Sequence, residues 1–326
     1  MTTSSSTRRH FLTAAAGSVA GAAITAAAAP FAGTARASAS APSQKPAAGA
    51  PPRRFKLGIA TYSYWHFTPR KFPIEGVIDK AAALGVEGVD VLHRQLENEQ
   101  NDYLQRIKRH AFLNGVDLIC LSMHQNFVSQ DAERRKKQIA HTLHCLEIAA
   151  RLGIPSMRIN AGRWGTIKSF DELMKNRGIE PLPAGVTDED GFAQAIDGIR
   201  QCLARAAELG VILALENHWG LSGTPEGMLR IHDAVNSPWL KLLPDTGNFL
   251  EDPYDKLAKV FPKACYVQAK TYFGGGEWYS LDLDYKRIVR QLRAADYCGY
   301  IGIEFEGKAP ADEGVPKSVQ LLRDAM

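Results

Sequence analysis

The chain has 326 residues, of which 45% are apolar and 23% charged, as in ordinary soluble globular proteins. Most of its net charge of +4 comes from Arg8, Arg9 and Arg36, because the first 37 residues contain no acid. Subtracting these three from the 39 basic residues leaves 36 against 35 acids, a net charge of +1. Because the chain beyond residue 37 is almost neutral, nucleic acid is not expected as a partner.

The N-terminal segment resembles a twin-arginine export signal. Arg8 and Arg9 precede a weakly apolar, Ala/Gly-rich run from Thr13 to Ala32, and Ala35-Arg-Ala37 fits a cleavage pattern. A permanent membrane anchor is the alternative. It is disfavoured because alanine and glycine are poor membrane formers and small residues precede the cleavage pattern.

This resemblance predicts the organisation of the precursor. Residues 1–37 would be the signal peptide, residues 38–54 a disordered linker rich in Ser, Ala and Pro, and residues 55–326 one folded domain. The twin-arginine export machinery would be the partner of the precursor. The mature protein would be periplasmic or extracellular, and it would fold, and load any metal, before export.

Beyond residue 55, short apolar runs alternate with longer amphipathic ones. The predicted strands are Lys56–Thr61, Gly88–Leu92, Asp117–Ser122, Ser156–Ile159, Val211–Leu215, Leu240–Leu243, Cys265–Ala269 and Tyr300–Ile303. The predicted helices are Ile74–Leu84, Glu99–Asn114, Asp131–Leu152, Asp188–Leu209, Pro225–Val235, Tyr254–Val260, Tyr285–Ala295 and one from about Val315 to the end.

This alternation predicts a fold of the α/β class, a single-domain (β/α)8 TIM barrel. Four helices are followed by a glycine suited to a left-handed helix cap: Gly85, Gly115, Gly153 and Gly210. A doubly wound sheet is the alternative, but no G-x-G-x-x-G loop follows the first strand.

Four consecutive predicted strands end in polar residues. Glu216 follows the fifth strand, Asp245 the sixth, Gln268 and Lys270 lie at the seventh, and Glu304 follows the eighth. Because side chains alternate along a strand and catalytic groups of a barrel lie at the carboxyl ends of its strands, we expect these residues to face one site. Small residues of the same parity, Ala214 and Gly302, predict free space for a ligand.

Three carboxylates, Glu216, Asp245 and Glu304, cannot all stay ionised in a small site without a cation. Oxygen ligands suit Mn²⁺, Mg²⁺ or a similar hard ion, which could hold two vicinal oxygens of a sugar and stabilise an enediolate. Glu216 and Glu304 could then act as the acid–base pair. The alternative is a set of salt bridges at the barrel rim.

Other residues are candidates for binding substrate or stabilising charge. Lys270 could neutralise an oxyanion as a catalytic residue, or simply pair with a ring carboxylate. Arg158, buried by pattern, must pair with an acid of the substrate or the protein. The candidate substrate-binding residues are His124, Arg158, His218, Trp219 and Asn248. Aromatic residues that could form sugar-stacking walls are Tyr62, Tyr64, Trp65, Trp164 and Trp278. Surface or core roles are expected for His93, His141 and His144, and core roles for the five cysteines.

Residues 55–326 resemble the xylose isomerase-like TIM barrels, which include sugar isomerases and epimerases. The matching motifs are Leu215-Glu-Asn-His218, Pro244-Asp-Thr-Gly-Asn248, Val267-Gln-Ala-Lys270 and Gly302-Ile-Glu-Phe-Glu-Gly307. The resemblance implies a metal site of Glu216, Asp245, Gln268 and Glu304. Gln268 stands where the family usually has histidine, which would shift preference from Zn²⁺ towards Mn²⁺ or Mg²⁺. Asn248 replaces an extra histidine of the related apurinic endonucleases, so DNA repair is not expected.

We therefore expect a divalent-metal-dependent isomerase or epimerase that moves a proton next to the carbonyl of a free sugar or keto-sugar. Mn²⁺ is the expected metal, with Mg²⁺, Co²⁺ and Zn²⁺ as alternatives. The same enolisation could instead serve a dehydratase, or a lyase or hydrolase of 3-keto-glycosides. A non-catalytic carbohydrate-binding barrel is the third alternative. The expected partner is a small carbohydrate, and the sequence leaves a homo-oligomer open.

Overall fold

The computed structural model describes residues 54–66 and 68–326. The predicted signal peptide and all but the last residue of the predicted linker lie outside this part of the chain. The strands of the described part are β1 Lys56–Ala60, β2 Gly88–Leu92, β3 Asp117–Ser122, β4 Ser156–Ile159, β5 Ile212–Glu216, β6 Leu240–Leu243, β7 Val267–Thr271 and β8 Tyr300–Phe305. Its α-helices are α1 Ile74–Ala83, α2 Asn101–Leu113, α3 Ala132–Leu152, α4 Phe170–Lys175, α5 Asp188–Leu209, α6 Pro225–Val235, α7 Pro253–Val260, α8 Tyr285–Ala294 and α9 Ala311–Ala325.

The eight strands form one parallel sheet that curls into a barrel. Neighbouring strands follow the order β6-β5-β4-β3-β2-β1-β8-β7, so that the last strand of the chain returns to the first. Single bridges, Leu242 to Ala264 and Asp245 to Gln268, join the remaining edges near β6 and β7. The predicted (β/α)8 barrel is confirmed. None of the described helices combines the length and apolarity needed to cross a membrane.

Helix ends follow the local chemistry of the sequence. All four glycines predicted to end helices adopt positive φ angles, for example 73° at Gly153 and 68° at Gly210. At the start of α5, Thr187 and Asp190 form a reciprocal capping box. These signals place the helix ends within a residue or two of their predicted positions.

The predicted and observed elements differ mainly where strands end. β5 includes Glu216, β7 runs two residues further than predicted, and β8 extends to Phe305. Glu216, Lys270 and Glu304 lie just beyond the predicted strand ends, yet they belong to the hydrogen-bonded ladder, where Lys270 lies opposite Glu304. The short helix α4, in the long connection between β4 and α5, was missed.

The barrel interior below the polar tips is filled by a small cluster around Tyr266. The ring of Tyr266 is 2% exposed and packs with Ala214, Ile119 and Leu243. A Cβ atom placed on Gly302 would lie 1.7 Å from the Tyr266 hydroxyl oxygen. The expectation that Ala214 and Gly302 leave space for a ligand is therefore wrong, because the space is taken by the tyrosine ring.

Replacing Gly302 by alanine is expected to destabilise the fold by about 1–3 kcal/mol, the usual cost of overpacking a core. The new methyl group must displace Tyr266, whose hydroxyl donates to Asp90 at 3.3 Å. Denaturant unfolding of Gly302→Ala would measure the loss. In the double variant with Tyr266→Phe the two costs should be less than additive, and full additivity would contradict the clash.

Candidate active site

The carboxyl ends of β5 to β8 bring the predicted polar residues into one cluster. Glu216 ends β5, Asp245 lies two residues beyond β6, and Gln268 and Glu304 lie within β7 and β8. Each of these four residues is at most 5% exposed. Lys270, two residues beyond Gln268 towards the carboxyl end of β7, is 6% exposed and joins them. The barrel thus encloses charged groups that would ordinarily be solvated.

The ammonium group of Lys270 lies among three carboxylates. Its Nζ is 3.6 Å from Asp245 Oδ2, 3.5 Å from Glu304 Oε2 and 3.2 Å from Glu306 Oε2. It also donates a hydrogen bond to Asn248 Oδ1 at 3.0 Å. Burial alone would lower the pKa of Lys270, but the surrounding carboxylates outweigh it and raise that pKa well above its ordinary value. Lys270 is therefore a fixed positive charge within the cluster.

Glu216 is held on the other side of the cluster. Arg158 Nη1 lies 3.4 Å from Glu216 Oε2, and Asn248 Nδ2 donates to Glu216 Oε1 at 3.2 Å. Burial raises the pKa of Glu216 to about 7, against the opposing charge of Arg158. The acid that pairs with Arg158 is thus one of the protein's own. A carboxyl group with a pKa near neutrality can both accept and return a proton at physiological pH.

The loop Pro244-Asp-Thr-Gly-Asn248 aims the carboxylate of Asp245. The backbone N–H of Gly247 donates to Asp245 Oδ1 at 2.8 Å, which leaves Oδ2 turned into the cluster. Thr246 Oγ1 accepts from the backbone N–H of Lys270, so the loop is tied to β7. A Cβ on Gly247 would lie 2.6 Å from Lys270 Cδ, so glycine lets the lysine stem pass.

Asn217 fixes the same loop from β5, a role that was not predicted. Its side chain is fully buried, accepts from the backbone N–H of Asp245 at 2.5 Å and donates to the Asp245 carbonyl at 2.9 Å. The residue between Glu216 and His218 therefore sets the position of Asp245. The sequence signal that could have indicated this role is an asparagine directly after the carboxylate at the end of a strand.

Asp90 is a further buried acid that the sequence analysis missed. It lies in the middle of β2, 1% exposed, and its Oδ2 accepts from Ser122 Oγ at 2.9 Å and from Gln268 Nε2 at 3.2 Å. Burial raises its pKa to about 6. Because Asp90 takes the amide N–H₂ of Gln268, the amide oxygen must point the other way, into the cluster.

Several buried oxygens of the cluster have no hydrogen-bond partner: Asp90 Oδ1, Glu216 Oε2, Asp245 Oδ2 and Gln268 Oε1. Glu216 Oε2 and Asp245 Oδ2 meet Arg158 and Lys270 only as ion pairs, at 3.4 and 3.6 Å. Leaving buried oxygens without hydrogen bonds is costly. Five acids, Asp90, Glu216, Asp245, Glu304 and Glu306, surround two cations, Arg158 and Lys270. The oxygens without hydrogen bonds and the excess of acids over cations favour a hard divalent cation here, since oxygen donors suit such an ion.

A cavity of about 470 Å³ opens above the cluster. Its floor includes Glu216, Lys270 and Glu304, and its walls are largely aromatic. The aromatic wall residues are Tyr62, Trp65, Phe170, Trp219, Trp278 and Tyr279. This volume and lining suit a small ligand with both apolar ring faces and polar edges.

The structure also places the other predicted site residues. His124, Arg158, His218 and Trp219 line the cavity, and Asn248 bridges Glu216 and Lys270 beneath it. His124 is open to the cavity solvent, yet desolvation followed by the charge of Arg158 lowers its pKa. Among the predicted wall residues, Tyr64 instead stacks on Phe72 in the core, at 5.5 Å between ring centroids. Trp164 lines a neighbouring cavity.

Comparison with solved structures gives the fold independently. The D-psicose 3-epimerase of Clostridium cellulolyticum H10, solved with D-tagatose, is 16% identical with a TM-score of 0.66, covering 83% of this chain and 99% of that one. The 3-keto-D-glucoside 4-epimerase of E. coli is 16% identical with a TM-score of 0.65, covering 83% and 100%. The IolI protein with a bound zinc atom is 14% identical with a TM-score of 0.63, covering 83% and 96%.

The family itself is shown by sequence. None of the curated proteins is significantly similar to the chain. The profile described as "Xylose isomerase-like TIM barrel", however, matches residues 78–325, which span all the strands from β2 to β8 and every residue of the acidic cluster. The chain belongs to the xylose isomerase-like TIM barrel family.

Proposed function

We propose that this protein is a divalent-metal-dependent isomerase or epimerase that moves a proton beside the carbonyl of a free sugar or keto-sugar. The observation that carries the proposal is the pair of buried glutamates, Glu216 and Glu304, which line one cavity, with buried oxygens of Asp245 and Gln268 that lack hydrogen bonds lying between their strands. Its structural relatives include a D-psicose 3-epimerase and a 3-keto-D-glucoside 4-epimerase, and this similarity supports an epimerase acting on a sugar or keto-sugar.

The residues take distinct roles in this proposal. Glu216, Asp245, Gln268 and Glu304 would hold the metal, Mn²⁺ by the all-oxygen character of the set, and a metal bound there would polarise the substrate carbonyl. Glu216 and Glu304 would exchange the proton, and the fixed charge of Lys270 would stabilise the developing oxyanion. His124, His218 and Trp219 would contact the sugar from the cavity wall.

The proposal is tested by exchange of the transferred hydrogen with solvent. Purified protein loaded with Mn²⁺ would be incubated in D₂O with D-psicose, D-tagatose and 3-keto-D-glucosides. Mass spectrometry and NMR should show one deuterium at the carbon next to the carbonyl, together with the isomeric sugar. A protein that binds these sugars with no deuterium uptake would be a carbohydrate-binding barrel rather than an isomerase.

A lyase or hydrolase of 3-keto-glycosides, or a dehydratase, is the second candidate. A neighbouring cavity of about 540 Å³ shares Trp219 with the first and is lined further by Trp164, Phe192, Arg163 and Asn248. This space could hold a group attached to the sugar, which the same enolisation would expel from the β-carbon. Release of the aglycone from a 3-keto-D-glucoside, instead of an epimeric glucoside, would establish this alternative.

Replacing Gln268 by histidine is expected to tighten metal binding and to shift its preference towards Zn²⁺, because imidazole is the softer ligand. Asp90 could hold one ring nitrogen as it now holds the glutamine amide, leaving the other nitrogen for the metal. Isothermal titration with Mn²⁺ and Zn²⁺ would compare the two proteins. Unchanged affinity for both ions would mean that residue 268 is not a ligand.

We also propose that residues 1–37 direct export, with the domain beginning near residue 55. Replacing Arg8 and Arg9 by lysine is expected to leave most of the precursor uncleaved inside the cell, because recognition of this signal depends on the arginine pair. Cell fractionation and the mass of the accumulated protein would measure this. As a control, Arg36→Lys should be exported normally, and export of the double variant at the native level would contradict the assignment.

A further inference from the structure

A second group of potential metal donors lies outside the acidic cluster. His93 stands in the short turn after β2, while His141 and Cys145 lie one turn apart on α3. Each of the three can place one donor atom within 4.8 Å of the others. We infer that His93, His141 and Cys145 form a binding site for a zinc-class transition metal that is separate from the catalytic metal.

The distances match tetrahedral coordination. Cys145 Sγ lies 3.8 Å from Nε2 and 3.9 Å from Nδ1 of His141. Bond lengths of about 2.3 Å to sulfur and about 2.0 Å to nitrogen place the two donors about 3.5 Å apart on a tetrahedral zinc ion. The separation of four residues on a helix puts both side chains on one face. Because the sulfur is almost equidistant from the two ring nitrogens, coordination would need a shift of a few tenths of an ångström and a rotation of the His141 ring that turns one nitrogen towards the metal.

Glu99 orients the third donor. His93 Nε2 donates to Glu99 Oε1 at 2.7 Å, and His144 Nε2 donates to Glu99 Oε2 at 2.6 Å. In a neutral imidazole with its proton on Nε2, the lone pair is on Nδ1, which is then free to bind a metal. A carboxylate behind a ligand histidine is the usual support of protein zinc sites. Water would complete the coordination.

The donor types separate this site from the first. One thiolate and two imidazoles select Zn²⁺ or Co²⁺, whereas the carboxylate and amide oxygens around Asp245 select Mn²⁺ or Mg²⁺. Binding at the second site would release the thiol proton of Cys145 to solvent. The two sites would thus sort different metals within one chain.

The site would also brace the wall of the substrate cavity. His93 and His141 line a surface cavity that includes Arg94 and His124, and both of these residues also line the cavity above the acidic cluster. A metal bound by His93 and α3 would fix the turn that carries Arg94. The role we assign to it is therefore structural, at a distance from the reacting atoms.

Titration of the metal-free protein with Co²⁺ tests the inference, because a thiolate ligand gives a sulfur-to-cobalt charge-transfer band that an all-oxygen site cannot give. The band should saturate at one equivalent in the native protein and in Asp245→Asn, in which the first site is impaired. It should disappear in Cys145→Ser. The matched control is Cys202→Ser, because Cys202 is equally buried on the neighbouring helix α5.

Two results would overturn the inference: no charge-transfer band in the native protein at saturating Co²⁺, or a band that survives in Cys145→Ser. If Cys145→Ser does not fold, His93→Gln provides the second variant, since His93 lies in a turn at the edge of the cavity. It should weaken Co²⁺ binding at least tenfold with unchanged secondary structure, and native-like binding would exclude His93 as a ligand. Failure of this site would leave the proposed sugar chemistry untouched.

Discussion

Turnover is expected to fall about 10²–10⁴-fold when either Glu216 or Glu304 is replaced by glutamine, the range usual for loss of a general acid or base. Glutamine preserves the size of the side chain and can still offer an oxygen, but it cannot exchange a proton. Both residues are buried at the floor of the same cavity, where each is placed to exchange a proton with a sugar bound there. Steady-state kinetics and deuterium uptake would measure the loss.

The Glu216→Gln and Glu304→Gln variants also distinguish removal of the proton from its return to the sugar. If the glutamates act on opposite faces of the sugar, one variant should still exchange the hydrogen of one epimer with solvent while forming no product. Glu313→Gln, at an exposed position on α9, is the control and should retain native activity. Full activity in Glu216→Gln or Glu304→Gln would refute the acid–base assignment.

The fold was predictable because each of its signals is local. Strands read as short apolar runs, helices as amphipathic ones, and glycines such as Gly153 and Gly210 mark helix ends through a backbone conformation that they adopt readily. What local patterns could not show was how far a strand continues into polar sequence. Lys270 and Glu304 pair in the ladder although neither looks like a strand residue, because tertiary pairing overrides their propensity.

The convergence of Glu216, Asp245 and Glu304 was predictable for a geometric reason: the carboxyl ends of parallel strands in a barrel meet at one face. Asp90 was not predicted as a site residue because it lies within a strand rather than at its end. An isolated acid within a strand usually indicates a solvent-exposed edge. Asn217 was not predicted because it binds the backbone of Asp245, which lies 28 residues away in the sequence. This contact is visible only in the folded chain.

The group of His93, His141 and Cys145 also could not be predicted from local sequence patterns. His141 and Cys145 have a spacing that can bind metal, but two donors on one helix are common by chance. His93 comes from a different βα unit, 48 residues earlier than His141, and no sequence spacing links them. The expectation that these residues are ordinary core or surface side chains followed from that gap. Only the packing of α3 against the turn after β2 brings the three together.

Removal of metal is expected to reverse the pH dependence of stability. Burial raises the pKa of Glu216 from 4.5 to about 7 and that of Asp90 from 3.8 to about 6 in the folded protein. Between the ordinary and the raised pKa, the folded state binds more protons than the unfolded state. The stability that these groups contribute is therefore present below their ordinary pKa values and is lost as the pH rises through the raised ones.

The metal-free protein should thus melt at a lower temperature at about pH 7.5 than at about pH 5. A fall of at least about 3 °C is expected, since 1 kcal/mol moves the melting temperature of a domain of this size by about 2–4 °C. Saturating Mn²⁺ should give the opposite slope, because metal binds the deprotonated carboxylates and does so more tightly as they ionise. Calorimetry at the two pH values, with and without Mn²⁺, measures both slopes.

Matched variants test whether the pH dependence of the melting temperature arises from the buried acids around Glu216. Glu216→Gln removes one titrating group and should flatten the slope of the metal-free protein, whereas Glu313→Gln should leave it unchanged. A metal-free protein whose melting temperature rises with pH would mean that the acids are compensated without a cation. The lack of hydrogen bonds at the buried oxygens of Glu216, Asp245 and Gln268 would then need another explanation. If the melting temperature instead changes with pH in opposite directions with and without Mn²⁺, the buried acids form a metal site. Binding of the ion would then offset the free energy that burying these acids costs the fold.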